Sequence, residues 1–151
     1  MPDSIIVIYC DGACSGNGRK TNTGGWGAVL KTGALMRTFS GSERNTSNQR
    51  MELLACIRGL EEVKDRRVPV EVYSDSAYLV NCFRQKWYVK WQKNGWLNAS
   101  KQPVENKDLW ERLLRLAAER NVSFHKVSGH SGDEMNDMAD NLARLAVAGA
   151  D

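Results

Sequence analysis

The stretch Ile5-Ile6-Val7-Ile8-Tyr9-Cys10-Asp11 reads as a β-strand that is apolar on both faces and closes on an acid. The apolar run predicts a central strand in a covered sheet. The acid is harder to accommodate, because a buried carboxylate is costly unless it is paired or bound to a metal. Val70-Glu71-Val72-Tyr73-Ser74-Asp75 repeats the construction: a strand-like run, then an acid. Two more acids sit in similarly unwelcoming places. Glu52 precedes Leu53-Leu54 near the start of an apolar-periodic helix, and Asp140 interrupts Met138-Ala139-Asp140-Asn141-Leu142-Ala143. If Asp11, Glu52, Asp75 and Asp140 converge, they make a hard-oxygen nest for Mg²⁺ or Mn²⁺, suited to phosphodiester chemistry.

Outward from these acids, the pattern predicts a Gly- and polar-rich loop over 12–25, then hairpin strands over 26–31 and 35–42 turning near Gly33. Thr46 and Gln49 have the spacing of a capping box, opening a helix over 48–64. A strand over 70–75 follows, then a short helix over 76–84 and the tryptophan-rich segment 85–96. An amphipathic helix over 107–120, a strand over 122–127, a loop over 128–134 and a closing helix over 135–147 complete the chain. This order predicts an α/β fold, a five-stranded mixed sheet flanked by helices, in a single domain over 1–151. On the first helix Glu52, Ala55, Cys56, Gly59 and Val63 form a small, apolar stripe, so Glu52 should head inward. Asp140 falls in register with Asn136, Ala143 and Val147. Each acid alone also has an ordinary reading, as a turn residue (Asp11), an N-cap (Asp75) or a solvated helix charge (Glu52, Asp140).

The totals fit one globular domain: 151 residues, 42% hydrophobic and 26% charged. A net charge of +3 is mild, so nucleic-acid binding has to be argued from local patches. No apolar stretch approaches the roughly 20 residues of a spanning helix, and the start lacks a signal-peptide pattern, so neither membrane nor export is expected. The four cysteines, 10, 14, 56 and 82, form no CxxC pair and read as reduced thiols of a cytoplasmic protein. Two histidines, 125 and 130, are too few for a histidine-built zinc site. His125 reads as structural.

Taken in order, Tyr9-Cys10-Asp11-Gly12-Ala13-Cys14, Thr46-Ser47-Asn48-Gln49-Arg50-Met51-Glu52-Leu53, Tyr73-Ser74-Asp75-Ser76, Trp87-x₃-Trp91-x₄-Trp96, Gly129-His130-Ser131-Gly132 and Asn136-x₃-Asp140 resemble type I ribonuclease H. The resemblance runs from Ile5 to about Ala148. It implies the ribonuclease H-like fold with a basic protrusion, and endonucleolytic hydrolysis of the RNA strand of RNA/DNA hybrids to 3′-hydroxyl and 5′-phosphate ends. It further implies two Mg²⁺ ions, with Mn²⁺ as a substitute. Asp11 would bridge them, Asp140 would complete the ion holding the attacking water, and Glu52 and Asp75 would hold the other. His130, between glycines, would assist in proton handling or product release.

The same resemblance implies a substrate groove. Asn17, Asn48 and Gln49, with backbone from Cys14 through Ser15 to Gly16, would contact the minor groove, where the 2′-hydroxyl distinguishes RNA. Ser47 and Asn106 match positions that grip a DNA phosphate two nucleotides from the cut. Trp87, Trp91 and Lys93 lie in Arg84–Trp96, where cations interleave with indoles as suits a nucleic-acid backbone. Gln92 and Asn94 thin its charge, which predicts weaker or more salt-sensitive hybrid binding. Arg19-Lys20 and Arg44 are candidate phosphate contacts or solvated loop charges. A DNA-cutting enzyme of the same fold, a binding module without catalysis, and a piece of a reverse transcriptase are the competing readings; a monomer is the default state.

Overall fold

The computed structural model describes residues 5–15, 22–127 and 134–149. Strand β1 (Ile6–Ser15) pairs antiparallel with β2 (Thr23–Thr32), which pairs antiparallel with β3 (Leu35–Arg44). On its other side β1 runs parallel to β4 (Pro69–Ser74), and β4 runs parallel to β5 (Asn121–Lys126). The sheet order is β3-β2-β1-β4-β5, five mixed strands with β1 at the centre, as expected from its two apolar faces. The helices are α1 (Asn48–Glu61), α2 (Ala77–Arg84), α3 (Trp87–Asn94), α4 (Lys107–Ala118) and α5 (Glu134–Gly149).

Alternation along β1 sorts the helices onto two faces. Ile8 and Cys10 join the main core with α1, whereas Tyr9 joins Val29 and Ala139 beneath α5. Behind α1, helix α4 docks through Trp110 and Leu113, both fully buried. An Arg112–Glu61 ion pair at 2.6 Å links the two helices at their edge.

The predicted loop over 12–25 is largely strand. β1 continues to Ser15 and β2 starts at Thr23, with Cys14 opposite Gly24 and Ala13 opposite Gly25. The glycines serve close packing here. A Cβ on Gly25 would run into the Ala143 carbonyl, and one on Gly27 would lie 2.5 Å from the Ala139 carbonyl. Both positions let α5 lie almost on the backbone of β2. Turn chemistry and tight helix–sheet contact leave the same composition, and only Gly33, at φ +58°, is a true turn glycine of this hairpin. The capping box also moves by one residue. Ser47 is the N-cap of α1, its Oγ accepting from the Arg50 N–H at 3.1 Å. The Thr46 hydroxyl is buried with no hydrogen-bond partner among the described residues.

Candidate active site

Asp11 does not end β1. It lies two residues beyond Tyr9↔Tyr73, the last parallel partners of β1 and β4, where the two strands part. Asp75 follows directly on β4. The sheet therefore opens a cleft at the C-terminal end of its parallel pair, the usual ligand position in such sheets. Gly12 brings α1 to the cleft, since a Cβ there would lie 2.6 Å from the Glu52 nitrogen and 2.7 Å from the Met51 Cβ. A side chain at position 12 would push Glu52 away.

Asp11, Glu52 and Asp75 each offer a carboxylate oxygen, and the three oxygens lie within 4.8 Å of one another. Asp11 is only 6% exposed. Burial first, then the Asp75 charge, push its carboxyl up to about 7, although a 2.9 Å bond from the Gly12 N–H pulls the other way. Burial, then Asp75 and Asp11, push Glu52 up to about 8, and the Ser76 hydroxyl donating to it lowers it. Three acids crowded to this degree repel one another strongly unless a cation lies between them. All donors are hard oxygens at short mutual distance, so the residues fit a hard divalent cation.

Asp140 reaches the same cleft from α5. Its side chain hydrogen-bonds Asp11, and its Oδ2 pairs with Arg144 at 3.0 Å. It lines the cleft with Asp11, Glu52, Asp75, Asn48 and Gln49, but stands outside the tight three-oxygen group. The stripe that carries it inward is as expected, with Asn136 and Ala143 buried beside it. Asp75 is no helix cap; Ser76 has that role, accepting from the Leu79 N–H at 3.1 Å while its own N–H donates to Ser74 Oγ at 3.0 Å.

Of the expected substrate contacts, Asn48 and Gln49 line this cleft. Both are exposed at the start of α1. Asn22, which sequence reasoning passed over, ties that start to β2: its Oδ1 accepts from the Thr46 N–H at 2.8 Å and its Nδ2 donates to the Thr46 carbonyl at 3.0 Å. The Cys14 thiol reaches the same carbonyl at 4.0 Å. Asn106 sits at the N-cap of α4, donating to the Tyr78 hydroxyl at 3.4 Å and accepting from Arg50 Nη1 at 3.3 Å. Arg44 is exposed at the end of β3, and Ser15 is exposed at the end of β1. Gly16, Asn17, Arg19, Lys20 and His130 lie outside the described residues.

The tryptophan segment is a helix, α3, standing on a cluster of tilted aromatic rings. Trp91 lies 5.7 Å from Trp110 and from Trp96 and 6.2 Å from Trp87, centroid to centroid. The indoles thus fasten α3 to the body, while Lys90 and Lys93 are exposed. His125 is structural in the expected sense: its ring stacks on Tyr73 at 4.9 Å and bonds Ser123 Oγ at 2.9 Å. All four cysteines are free thiols, three of them buried.

The chain matches the family described as RNase H over residues 3–148. Its relatives include the Ribonuclease H of Chlorobaculum parvum, 52% identical over 145 residues that cover 96% of this chain and 97% of the relative. The Ribonuclease H of Moorella thermoacetica is likewise 52% identical, over 95% of this chain and 91% of the relative. This chain belongs to the ribonuclease H family. Membership makes it a hydrolase of RNA/DNA hybrids, and the acidic cluster is compatible with metal-dependent catalysis. Among solved structures it resembles LC9-RNase H1, described as a type 1 RNase H with the type 2 active-site motif, at TM-score 0.85 and 31% identity, over 99% of this chain and 74% of that one. LC11-RNase H1, solved with an RNA/DNA hybrid, shares the fold at TM-score 0.70 and 24% identity, over 96% of this chain and 98% of that one. Among the described residues no helix is long and apolar enough to cross a membrane.

Proposed function

We propose that this ribonuclease H cuts within the RNA strand of a hybrid by a two-metal mechanism, leaving 3′-hydroxyl and 5′-phosphate ends, with Mg²⁺ as the resident ion and Mn²⁺ as a substitute. The observation that carries the proposal is the meeting of Asp11, Glu52 and Asp75 oxygens within 4.8 Å at the strand ends. Asp11, at the centre of the cluster and in contact with Asp140, suits the role of shared ligand. Glu52 and Asp75 would hold one cation with it, and Asp140 would help hold the other. When bound, the cations would stabilise the attacking and leaving oxygens of an in-line displacement. His130 is assigned to proton handling or product release.

The substrate lies across the cleft. Asn48, Gln49, Cys14, Ser15, Gly16 and Asn17 would contact its minor groove, where amides can both donate to and accept from a 2′-hydroxyl. Ser47 and Asn106 grip a DNA phosphate, and Trp87, Trp91 and Lys93 follow the DNA strand. The enzyme acts as a monomer in the cytoplasm, where its free thiols stay reduced. The test is cleavage of an end-labelled hybrid with Mg²⁺, Mn²⁺ or Ca²⁺, beside duplex DNA and duplex RNA. Hybrid-only cutting with Mg²⁺ and Mn²⁺, and 5′-phosphate products, is expected. Cutting of duplex DNA at a similar rate would overturn the proposal.

A further inference from the structure

Arg50 touches both residues assigned to the DNA phosphate, and it does so in a way that fixes which atoms they present. Its backbone N–H donates to Ser47 Oγ at 3.1 Å, and its guanidinium Nη1 donates to Asn106 Oδ1 at 3.3 Å. The Ser47 oxygen is thereby engaged as an acceptor, and the Asn106 carbonyl oxygen is turned toward Arg50. Ser47 keeps its hydroxyl proton to donate, and Asn106 keeps the amide proton not given to Tyr78. A phosphate diester oxygen accepts and cannot donate, so this is the polarity it needs.

Arg50 is itself held rigidly. Nη1 and Nη2 make a two-pronged pair with Asp108, both bonds at 3.0 Å, and Nε lies 3.7 Å from Glu43. The bidentate fork fixes the plane of the guanidinium, which a lysine could not do. The Arg50 charge is balanced by Asp108 and Glu43, so its contribution is orientation of its neighbours.

We propose that the Arg50 side chain is a positioning group that sets the hydrogen-bond polarity of Asn106 for an anionic DNA linkage, beside a Ser47 oriented by the helix cap. This inference rests on the phosphate-gripping reading of those two residues. The Arg50 contact is what makes the Asn106 amide discriminate: with Arg50 gone, the amide is free to flip and meet the phosphate oxygen-first, which repels it.

The experiment uses hybrids in which one DNA linkage at a time is replaced by an uncharged methylphosphonate. In the unmodified enzyme, a substitution at the gripped linkage should raise KM roughly tenfold, the scale of one charge-assisted hydrogen bond, with kcat changed little. Arg50→Met should raise KM for the unmodified hybrid and shrink the methylphosphonate penalty to about threefold, the remainder coming from Ser47, whose cap bond is made by the backbone. Arg50→Met/Asn106→Ala should be no worse than Asn106→Ala alone. Asp108→Asn, which unclamps the fork and keeps the guanidinium, should fall between, and it serves in place of Arg50→Met should that variant not fold. A folded Arg50→Met or Asp108→Asn enzyme with the full penalty overturns the role of Arg50 while leaving the phosphate grip intact. A parent enzyme indifferent to methylphosphonate at every linkage removes the grip, and the inference with it.

Discussion

Asp140 and Arg144 are paired at 3.0 Å one turn apart on α5, at the edge of the cleft that also holds Glu52 and Asp75. The arginine supplies a positive charge to the one site acid outside the tight three-oxygen group. It therefore competes with a cation for the same carboxylate. Arg144 is exposed and Asp140 half-buried, and ion pairs open to solvent contribute modestly.

Arg144→Met should accordingly lower the Mg²⁺ or Mn²⁺ concentration needed for half-saturation by about twofold, in keeping with a solvent-open i,i+4 pair. Isothermal titration with Mn²⁺ reads it directly. A weaker affinity would mean that Arg144 orients Asp140 for the metal and does not compete with it.

The stability of the metal-free protein should fall as pH rises. Unfolded carboxyls titrate near 4, whereas burial and like charge hold Asp11 at about 7 and Glu52 at about 8 in the folded protein. Between those limits the folded state binds more protons than the unfolded chain, so the contribution of these groups is fully present below about pH 4 and lost as pH rises toward about 8. Thermal melts in chelator should show the decline attenuated in Asp11→Asn/Glu52→Gln. Added Mg²⁺ should stabilise more at about pH 8 than at about pH 5, because the ligands must be deprotonated. Equal melting shifts at both would contradict the crowded-acid picture.

Asp11→Asn should lose more than about a hundredfold in hybrid cleavage, beyond what outer-shell changes cost a metal site. The metal-free variant should be no less stable than its parent, since one of several mutually repelling groups is gone. Retained turnover would remove Asp11 from the centre of the site.

Gly27→Ala tests the seating of α5. The new methyl would lie 2.5 Å from the Ala139 carbonyl and 2.7 Å from the Leu142 Cβ, so the helix has to shift. A loss of about 1–3 kcal/mol is expected by denaturant titration, the range for overpacking. Mn²⁺ affinity should drop as well, because Asp140 travels with α5. Unchanged affinity in a destabilised variant would show that the site tolerates the displacement.

Much of the site is legible in the sequence. Asp11, Glu52 and Asp75 stood out because each breaks an apolar pattern, and the structure gathers all three. The glycine-rich stretch misled, because Gly24, Gly25 and Gly27 report contact with helices far along the chain that local composition does not reveal. Ser47 displaced Thr46 as the cap, a one-residue shift decided by backbone angles. Arg50 and Asp108 were least legible. They are 58 positions apart, and each alone resembles an ordinary charge on a helix surface.

Because α5 both carries Asp140 and lies on the backbone of β2 at Gly25 and Gly27, the cleft cannot be assembled while that helix is still being translated. A nascent chain with β1, α1 and β4 already folded would hold three of the four acids and lack the fourth. Full metal affinity and hydrolysis of hybrids should therefore wait on the docking of α5 against β2.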